Sequence, residues 1–339
     1  MTDTTLGALP IARTPDPVEA PALRWGILGP GWIAARFVEA LHANTRQQVV
    51  AVGSRDHSRA GAFAAQWAVP TAHGSYEALL DDPQVDIVYI ATTHPSHRDN
   101  AIDALSAGKH VLVEKPLALD AAGAREIVTA AARADRFVGE AMWTKFLPKF
   151  DVIRQLLDGG ALGEIRTVLA DHGEFFTPDH RIYDPELAGG PLLDLGTYPI
   201  ALAHMVFGSF TSVIAHGQPA APELTGQISA LLSDAAGNQA VLHTTILSDT
   251  PTSAVISGRD ATLHIGGPFF MPGPFTLTRH GGSPVLHYDE KPGTQTDGLH
   301  YAAAEAARLI ANGRIESEIH PLRYAVATLE VADEIRSQL

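Results

Sequence analysis

The chain has 339 residues, more than a single hydrophobic core usually supports, so two domains are expected. Its 24 Lys and Arg against 38 Asp and Glu give a formal charge of -14, which disfavours binding to nucleic acid or to an anionic membrane surface. The absence of cysteine excludes disulfides, a thiolate nucleophile and cysteine zinc sites, and it suits a cytoplasmic location. No apolar run approaches the roughly 20 residues of a transmembrane helix, so a soluble protein is expected.

Residues 1–22 hold four prolines and lack the basic start and apolar core of a secretory signal. They are predicted to form a flexible N-terminal arm, with docking on a partner subunit as the alternative. From residue 23 to 142, near-continuous apolar strands alternate with helical periods, which predicts a doubly wound parallel sheet. The predicted strands are 23–28, 48–53, 85–91, 110–113 and 137–141, and the helices are 32–43, 58–68, 96–107 (with Ser96 as its N-cap) and 120–134.

The pattern changes after residue 143, because strand-like segments now follow one another through short turns, which is typical of an antiparallel sheet. The predicted elements are a helix at 145–157, strands at 164–176, 212–217, 227–233, 239–247, 254–265 and 275–279, and helices at 192–206, 301–311 and 322–337. The chain is therefore predicted to be α/β, with an N-terminal Rossmann domain at 23–142. A C-terminal α+β domain at 143–339 contains a large, mainly antiparallel open sheet, and its closing helix is expected to pack back on the first domain. One face of such a sheet needs cover, so a homo-oligomer, dimer or tetramer, is expected.

A glycine motif, Gly29-x-Gly31-x-x-Ala34, follows the first strand and opens a helix, which is the context of a dinucleotide-binding turn. Gly29 allows the turn, Gly31 lets the backbone approach a pyrophosphate, and the helix N-terminus binds the anion. The second strand then ends in Ser54-Arg55, where NAD enzymes usually carry an acidic residue for the ribose 2'-hydroxyl. A guanidinium binds a 2'-phosphate through paired hydrogen bonds, so NADP is predicted over NAD. Asp56 keeps NAD as the alternative.

Reactive side chains follow the third and fourth strands, in residues 92–97 (Thr-Thr-His-Pro-Ser-His) and in Glu114-Lys115-Pro116. This edge of an open α/β sheet is where ligands bind. In the second domain Asp194 and Tyr198 are four apart on a predicted helix and therefore share a face. Taken singly, Asp194 is explained equally well by the helix dipole and Tyr198 by packing.

Together these residues fit alcohol oxidation, because removing a hydride from a C–H(OH) carbon also requires loss of the hydroxyl proton. A tyrosine with a pKa near 10 needs a nearby cation for this task. The hypothesis is that Tyr198 is the acid/base, that Lys115 lowers its pKa and holds the substrate oxygen, and that Asp194 binds a neighbouring hydroxyl. Whether Lys115 or Tyr198 is the proximate proton donor stays open.

At Glu114-Lys115-Pro116 the chain resembles the Gfo/Idh/MocA family of oxidoreductases, and the resemblance covers nearly all residues from 23 on. Residues 140–144, Arg181 and residues 189–198 are similar to its branch of dimeric dihydrodiol dehydrogenases and NADP-dependent D-xylose dehydrogenases. The chain departs from that branch at Pro191, where a third glycine or another small residue is usual. The resemblance implies that Trp143 stacks on the substrate ring and that Arg181 hydrogen-bonds its oxygens. It also implies that His97 lines the cofactor loop.

The expected substrate-binding residues are thus Trp143, Arg181, Asp194 and Tyr198. The expected cofactor-binding residues are Gly29, Gly31, Trp32, Ile33, Ser54, Arg55, Arg59, Thr92, His94, His97, Glu114 and Lys115. No metal site is expected, because His94 and His97 lack a third ligand at a characteristic spacing. Structural or surface roles are expected for the remaining histidines near the motifs, His172, His180 and His204.

The expected function is hydride transfer between NADP and a hydroxyl-bearing carbon of a sugar or cyclic polyol. An aldose such as D-xylose, oxidised to its lactone, or a trans-dihydrodiol is the expected substrate. An inositol dehydrogenase or an anhydrofructose-type reductase is the alternative within the same family. Two alternatives belong to other functional classes: a non-catalytic NADP-binding regulator, and a glycosidase that uses tightly bound NAD transiently.

Overall fold

The structure is a computed structural model that describes residues 7–281 and 285–339. Two compact units divide the chain. The Rossmann unit contains Pro15–Phe146 and Thr294–Leu329, and the sheet unit contains Met1–Thr14, Leu147–Gly293 and Glu330–Leu339. The chain leaves the Rossmann unit after Phe146, returns to it over Thr294–Leu329 and ends in the sheet unit.

The described residues form fourteen strands and ten α-helices. The strands are β1 (Arg24–Leu28), β2 (Gln48–Gly53), β3 (Thr71–His73), β4 (Ile87–Ile90), β5 (His110–Val113), β6 (Val138–Glu140), β7 (Ile165–Gly173), β8 (Ser212–Ala221), β9 (Leu224–Ser233), β10 (Gln239–Thr245), β11 (Ala254–Gly258), β12 (Ala261–Ile265), β13 (Phe275–Arg279) and β14 (Val285–Tyr288). The helices are α1 (Trp32–Asn44), α2 (His57–Trp67), α3 (Tyr76–Leu80), α4 (His97–Ser106), α5 (Ala121–Ala134), α6 (Pro148–Asp158), α7 (Pro191–Asp194), α8 (Thr197–Phe207), α9 (Leu299–Ala311) and α10 (Leu322–Ser337). None of these helices is both long and apolar enough to cross a membrane.

The Rossmann unit is built on six parallel strands in the order β3-β2-β1-β4-β5-β6. This confirms the predicted doubly wound parallel sheet. The strand order reverses between β1 and β4, so the loops after these two strands flank the position where ligands bind in such sheets. Helix α9 packs on α1, so a late segment of the chain completes this unit.

The sheet unit contains eight strands in the order β14-β13-β12-β11-β7-β10-β9-β8. Every neighbouring pair is antiparallel except β7 and β10, which confirms the predicted mainly antiparallel sheet. Helix α8 packs on β7 and β10 and covers one face. The predicted strand at 254–265 is wrong, because Arg259 and Asp260 turn the chain back and divide it into the hairpin of β11 and β12.

The predicted helix at 192–206 is interrupted at Leu195 and Gly196. The amide of Gly196 donates to the carbonyl of Pro191, five residues back, at 2.8 Å, and this wider turn ends α7 before α8 begins. Asp194 and Tyr198 therefore lie on two successive helices, and the argument that they share one helix face is wrong. Ser96 lies at the N-cap position of α4 as predicted, but a short 3₁₀ turn precedes the helix and the Ser96 side chain makes no cap hydrogen bond.

The N-terminal segment was expected to be a flexible arm over residues 1–22, of which 1–6 lie outside the described residues. The described part is tied to the sheet unit through α6, where Asp151 accepts hydrogen bonds from the Arg13 amide at 2.6 Å and the Arg13 guanidinium at 3.2 Å. Burial favours the neutral carboxyl, but these hydrogen bonds outweigh it and hold the pKa of Asp151 below its ordinary value. Within the Rossmann unit, Gln47 donates to the carbonyl of Pro21 at 2.8 Å. For residues 7–22 the expectation of a free arm is therefore corrected.

Candidate active site

The glycine turn after β1 has the shape that a dinucleotide requires. Gly29 has φ +96°, and a Cβ on it would lie 2.9 Å from the carbonyl oxygen of Ala91, so only glycine fits. Gly31 is the N-cap residue of α1, and a Cβ built on it would meet no heavy atom nearer than 4.0 Å. Ala34 is fully buried. The space beside Gly31 at the N-terminus of α1 is thus open, which fits an anionic pyrophosphate.

The residues that follow β2 divide into a structural group and an exposed group. Ser54 is buried and accepts a hydrogen bond from the Asp56 amide at 3.2 Å. Asp56 caps α2, because its carboxylate accepts from the amide and the hydroxyl of Ser58 at 2.9 and 2.6 Å. The side-chain hydrogen bond from Ser58 is the main cause of its lowered pKa. Arg55 and Arg59 are exposed, and the Arg55 guanidinium carbon lies 6.0 Å from the ring centre of Tyr76.

His97 joins the loops that follow β4 and β5. It is fully buried, with Nδ1 at 2.7 Å from the Pro116 carbonyl and Nε2 at 3.0 Å from the Thr92 carbonyl. Burial is the main cause of its lowered pKa, so the ring is neutral and donates to one carbonyl at a time. His97 therefore holds the loop after β4 and the loop after β5 together. His94 is also buried, with its ring centre 5.6 Å from that of His97.

Glu114 and Lys115 differ in exposure although they are adjacent. The buried Glu114 accepts hydrogen bonds from the hydroxyl of Tyr89 and, at 3.1 Å, from the Lys115 amide. Burial raises the pKa of Glu114 to about 7. Lys115 is only half-buried at the end of β5, next to a cis peptide bond to Pro116. Glu114 is thus enclosed at the end of β5, whereas Lys115 beside it is partly exposed.

A buried contact between a glutamate and a histidine, which the sequence does not reveal, lies behind this motif. Glu140, at the end of β6, accepts from the Leu117 amide at 2.7 Å, and its second oxygen lies 2.7 Å from Nε2 of His320. Both side chains are almost inaccessible to solvent. These contacts fix the residues that follow Lys115. No sequence spacing connects positions 140 and 320, because the fold alone brings them together.

In the sheet unit, the turn before α7 presents Asp194 beside Arg181. Gly190 has φ +92° and ψ 169°, and Pro191 starts α7 at the first helical position, as its fixed φ favours. The guanidinium of Arg181 donates to Asp194 at 3.1 Å. The side chain of Asp194 is 16% exposed and that of Arg181 53%, so the pair borders solvent.

Tyr198 is the second residue of α8, and its ring lies next to two other rings. The ring centre of Phe270 is 4.4 Å away at an interplanar angle of 20°, and that of His172 is 5.6 Å away. Sequence reasoning did not select Phe270. The only signal for it is an apolar pair, Phe269-Phe270, inside a Gly- and Pro-rich turn.

The two units divide the expected site residues between them. The cofactor-binding set, Lys115 and the buried Trp143 belong to the Rossmann unit, and Arg181, Asp194 and Tyr198 belong to the sheet unit. Within the sheet unit Arg181 contacts Asp194 on α7, and Tyr198 lies on the helix that follows, α8. Among the described residues, no three His, Asp or Glu side chains converge as a metal site requires.

Comparison with known proteins gives matches over both units. Residues 23–141 match the GFO/IDH/MocA model described as an oxidoreductase family with an NAD-binding Rossmann fold. Residues 150–264 match the GFO/IDH/MocA C-terminal domain. The chain is 35% identical to trans-1,2-dihydrobenzene-1,2-diol dehydrogenase of Xenopus laevis, over 94% of this chain and 98% of the relative. It is 34% identical to the enzyme of the same name from Bos taurus, over 94% and 97%.

Solved structures share the fold. A 3-ketoreductase from Actinomadura kijaniata, KijD10, in complex with NADP and TDP-benzene, has a TM-score of 0.83 and 25% identity, covering 94% of this chain and 98% of that one. A levoglucosan dehydrogenase in complex with NADH and levoglucosan has a TM-score of 0.85, with coverage of 94% and 97%, and its 16% identity shows the fold alone. Together with the glycine turn and the Glu-Lys-Pro motif, these matches establish that the chain belongs to the GFO/IDH/MocA family of NAD(P)-binding oxidoreductases.

Proposed function

We propose that the protein is an NADP-dependent dehydrogenase of a sugar or cyclic polyol, with an aldopyranose, oxidised at its anomeric carbon to a lactone, as its substrate. The observation that carries this proposal is the junction of α7 and α8. There Asp194 of α7 pairs with Arg181 at 3.1 Å at the border of solvent, and the buried Tyr198 follows on the next helix, α8. The pair supplies both a carboxylate and a guanidinium for neighbouring hydroxyls, which suits a polyol ring.

Each residue has a defined task in the proposed reaction. A nicotinamide cofactor bound to the Rossmann unit would accept the hydride. Tyr198 takes the hydroxyl proton, and Lys115, whose charge stabilises a phenolate, lowers the pKa of that tyrosine and orients the reacting oxygen. Asp194 and Arg181 bind the adjacent hydroxyls and fix which carbon reacts. In this proposal Trp143 contributes a ring face against the substrate ring.

A Tyr198→Phe variant tests this assignment. The ring and its packing are kept and only the hydroxyl is lost, so we expect kcat to fall about 100-fold or more, the scale of a lost proton-transfer group. NADP+ and NAD+ reduction at 340 nm, measured against pentoses, hexoses, inositols and cyclic diols, gives the rates and the substrate class together. Tyr324→Phe serves as the matched control and should retain wild-type turnover. Near-normal turnover of Tyr198→Phe on the best substrate would rule out its role as the acid/base.

The same panel discriminates the alternatives. Preferential oxidation of inositols, or reduction of a keto sugar without aldose oxidation, favours the inositol dehydrogenase or the anhydrofructose-type reductase. Turnover of none of these compounds with either cofactor favours a non-catalytic NADP-binding regulator. Cofactor that copurifies and never exchanges indicates the glycosidase.

The preference for NADP rests on the chemistry after β2. Asp56 is committed to capping α2, so its carboxylate is occupied where an NAD enzyme would use one for ribose. Arg55 and Arg59 are exposed there and match a 2'-phosphate. A cytoplasmic location, consistent with the absence of cysteine, belongs to the same proposal.

An Arg55→Ala variant tests the cofactor preference. We expect its Kd for NADPH, measured by fluorescence titration, to rise at least about tenfold, because a bidentate contact to a charged group is worth more than about 1.4 kcal/mol. The Kd for NADH should change little. Arg133→Ala, which removes an exposed guanidinium from α5, is the control. Equal or tighter binding of NADH than NADPH by the wild type contradicts the preference.

We also propose that the outer face of the eight-stranded sheet binds a second copy of the chain. Strand register aligns five apolar side chains in one row across five neighbouring strands: Ile214, Leu231, Val241, Leu169 and Val255. Three of the five are strongly exposed, with Ile214 at 61%, Val241 at 45% and Leu169 at 43%. Polar side chains such as Ser229 and Gln239 lie on either side of this apolar row. An apolar centre with a polar rim is the composition of a protein interface, and a symmetric dimer covers it with the same face.

A further inference from the structure

We propose that Phe270 and His172 are positioning residues, which hold the phenol ring of Tyr198 in the orientation that its proton transfer requires. This inference rests on the proposed function of Tyr198. Neither Phe270 nor His172 belongs to a motif that the sequence analysis used for the site. The inference starts from the packing of three aromatic rings within the sheet unit. All three side chains are buried.

The rings form a compact cluster. Phe270 stacks on Tyr198 with ring centres 4.4 Å apart and an interplanar angle of 20°. His172 contacts both, at 4.6 Å from Phe270 and 5.6 Å from Tyr198. Offset stacking of this kind is directional, so it favours one ring orientation beyond what burial alone would give. Rotation of the Tyr198 ring about its own axis therefore requires Phe270 to move.

His172 is itself fixed against the turn that carries Tyr198. Its Nδ1 lies 3.2 Å from the carbonyl oxygen of Leu195, and because a carbonyl only accepts, Nδ1 carries the proton. The same carbonyl receives the backbone amide of Tyr198 at 3.3 Å. One oxygen thus links the imidazole to the first turn of α8, and the position of the ring follows the position of the helix.

The segment that carries Phe270 is held at both ends. The Phe269 amide donates to the Thr252 carbonyl at 2.8 Å, and the Gly273 amide donates to the Glu290 carboxylate at 2.7 Å. Lys149 is completely buried on α6, and its charge attracts Glu290. These contacts anchor Phe270 to the body of the sheet unit, so its ring is a fixed wall for Tyr198.

The orientation of the Tyr198 ring matters because it sets the distance between the hydroxyl and its proton-transfer partner. A proton passes efficiently only when donor and acceptor are within about 2.6–3.2 Å, and a misplacement of about 1 Å costs about 100-fold in rate. A Phe270→Leu change keeps the site apolar but removes the stacked ring. We therefore expect kcat to fall about 10- to 100-fold, while the KM values for substrate and cofactor change less than about threefold. Phe270→Tyr keeps the ring and should retain most of kcat.

A double-mutant cycle separates positioning from substrate contact. If Phe270 acts through the Tyr198 hydroxyl, Phe270→Leu should lower kcat in the wild type but change it less than about twofold in a Tyr198→Phe background. Equal fold-losses in both backgrounds, or wild-type kcat in Phe270→Leu, overturn the inference. Full activity of Tyr198→Phe alone would instead refute the proposed function.

A spectroscopic measurement decides the inference without using turnover. The protein contains seven tyrosines, so the ring signals of Tyr198 in ¹³C-labelled protein are assigned by their loss in Tyr198→Phe. We expect restricted ring flipping, seen as separate signals for the two ring edges, in the wild type and in Phe270→Tyr. A single averaged signal is expected in Phe270→Leu and in His172→Ala. Separate signals in His172→Ala, as in the wild type, would show that His172 does not hold the ring. The same flipping behaviour in the wild type and Phe270→Leu would show that Phe270 does not hold the ring.

Discussion

Glu114 shows at the scale of one residue how burial changes the chemistry of the Glu-Lys-Pro motif. Its carboxyl is enclosed at the end of β5 and receives the Tyr89 hydroxyl, yet burial raises its pKa from the ordinary 4.5 to about 7. The desolvation of a carboxylate thus exceeds the gain from its hydrogen bonds. At neutral pH a large fraction of the molecules carry a neutral Glu114, which leaves Lys115 as the effective charge of the motif.

This pKa shift predicts a pH-dependent effect of Glu114→Gln on stability. The folded state binds the Glu114 proton more tightly than the unfolded state, so the resulting stabilisation is full below pH 4.5 and is lost as the pH rises through about 7. The loss amounts to at most roughly 3 kcal/mol. Glutamine cannot ionise, so the stability of Glu114→Gln relative to wild type should improve between pH 5 and pH 8. Thermal unfolding at both pH values measures this, and an unchanged difference would contradict the raised pKa.

The residues proposed for the site could be selected from the sequence because each lies at a strand end or in a short motif. Gly29, Lys115 and Asp194 belong to this class. Phe270, His320 and Glu140 were not accessible in the same way, because their partners lie far away in sequence and only the fold brings them together. His97 was selected from the sequence, but the contacts of its two ring nitrogens with the Pro116 and Thr92 carbonyls are visible only in the structure.

At the scale of secondary structure, the entry into α7 depends on one glycine. Gly190 combines φ +92° with ψ 169°, a region that side chains with a Cβ rarely adopt, and a Cβ would lie 3.0 Å from the Thr225 carbonyl. The residues that follow it carry Asp194. The backbone conformation of this turn is therefore a condition for presenting the Asp194–Arg181 pair.

We predict that Gly190→Ala destabilises the protein by about 1–3 kcal/mol, the usual cost of a strained backbone conformation. The Tm should fall by about 2–4 °C per kcal/mol, and kcat/KM should fall with it because Asp194 shifts. Gly61→Ala, in the middle of α2 with no atom within 4 Å of the added Cβ, should instead be neutral or slightly stabilising. A Gly190→Ala protein with the Tm and activity of the wild type would show that this turn tolerates a side chain.

The sequence predicted most elements by type, and the errors have specific causes. β2, β5 and β13 begin and end where the pattern predicts, because buried strands flanked by turn residues leave little ambiguity. β3 has three half-buried residues, too few to show any period. The break at Gly196 was missed because the apolar pattern continues through it. One hydrogen bond, from the Gly196 amide to the carbonyl of Pro191 five residues back, ends the first helix and changes the direction of the side chains that follow.

At the scale of the whole molecule, the apolar row on the outer face of the sheet predicts self-association. Val241→Asp places a charge at the centre of this row and should convert a dimer, of twice the 36.0 kDa chain mass, into a monomer in light scattering. Val18→Asp, at another exposed valine, is the control and should leave the mass unchanged. A wild-type protein of 36.0 kDa, or a Val241→Asp variant that stays dimeric, would argue against this interface.

The central claim is that the chain transfers a hydride from a polyol carbon to NADP with Tyr198 as the proton acceptor. Aldoses deuterated at C1, together with carbon-deuterated inositols and cyclic diols, are incubated with the enzyme and NADP+, and the reduced cofactor is analysed by NMR. The account predicts deuterium at C4 of the nicotinamide from the aldose with the wild type, at a rate at least about 100-fold lower with Tyr198→Phe. Absence of deuterium transfer from every labelled compound, or equal rates in the two proteins, would contradict it.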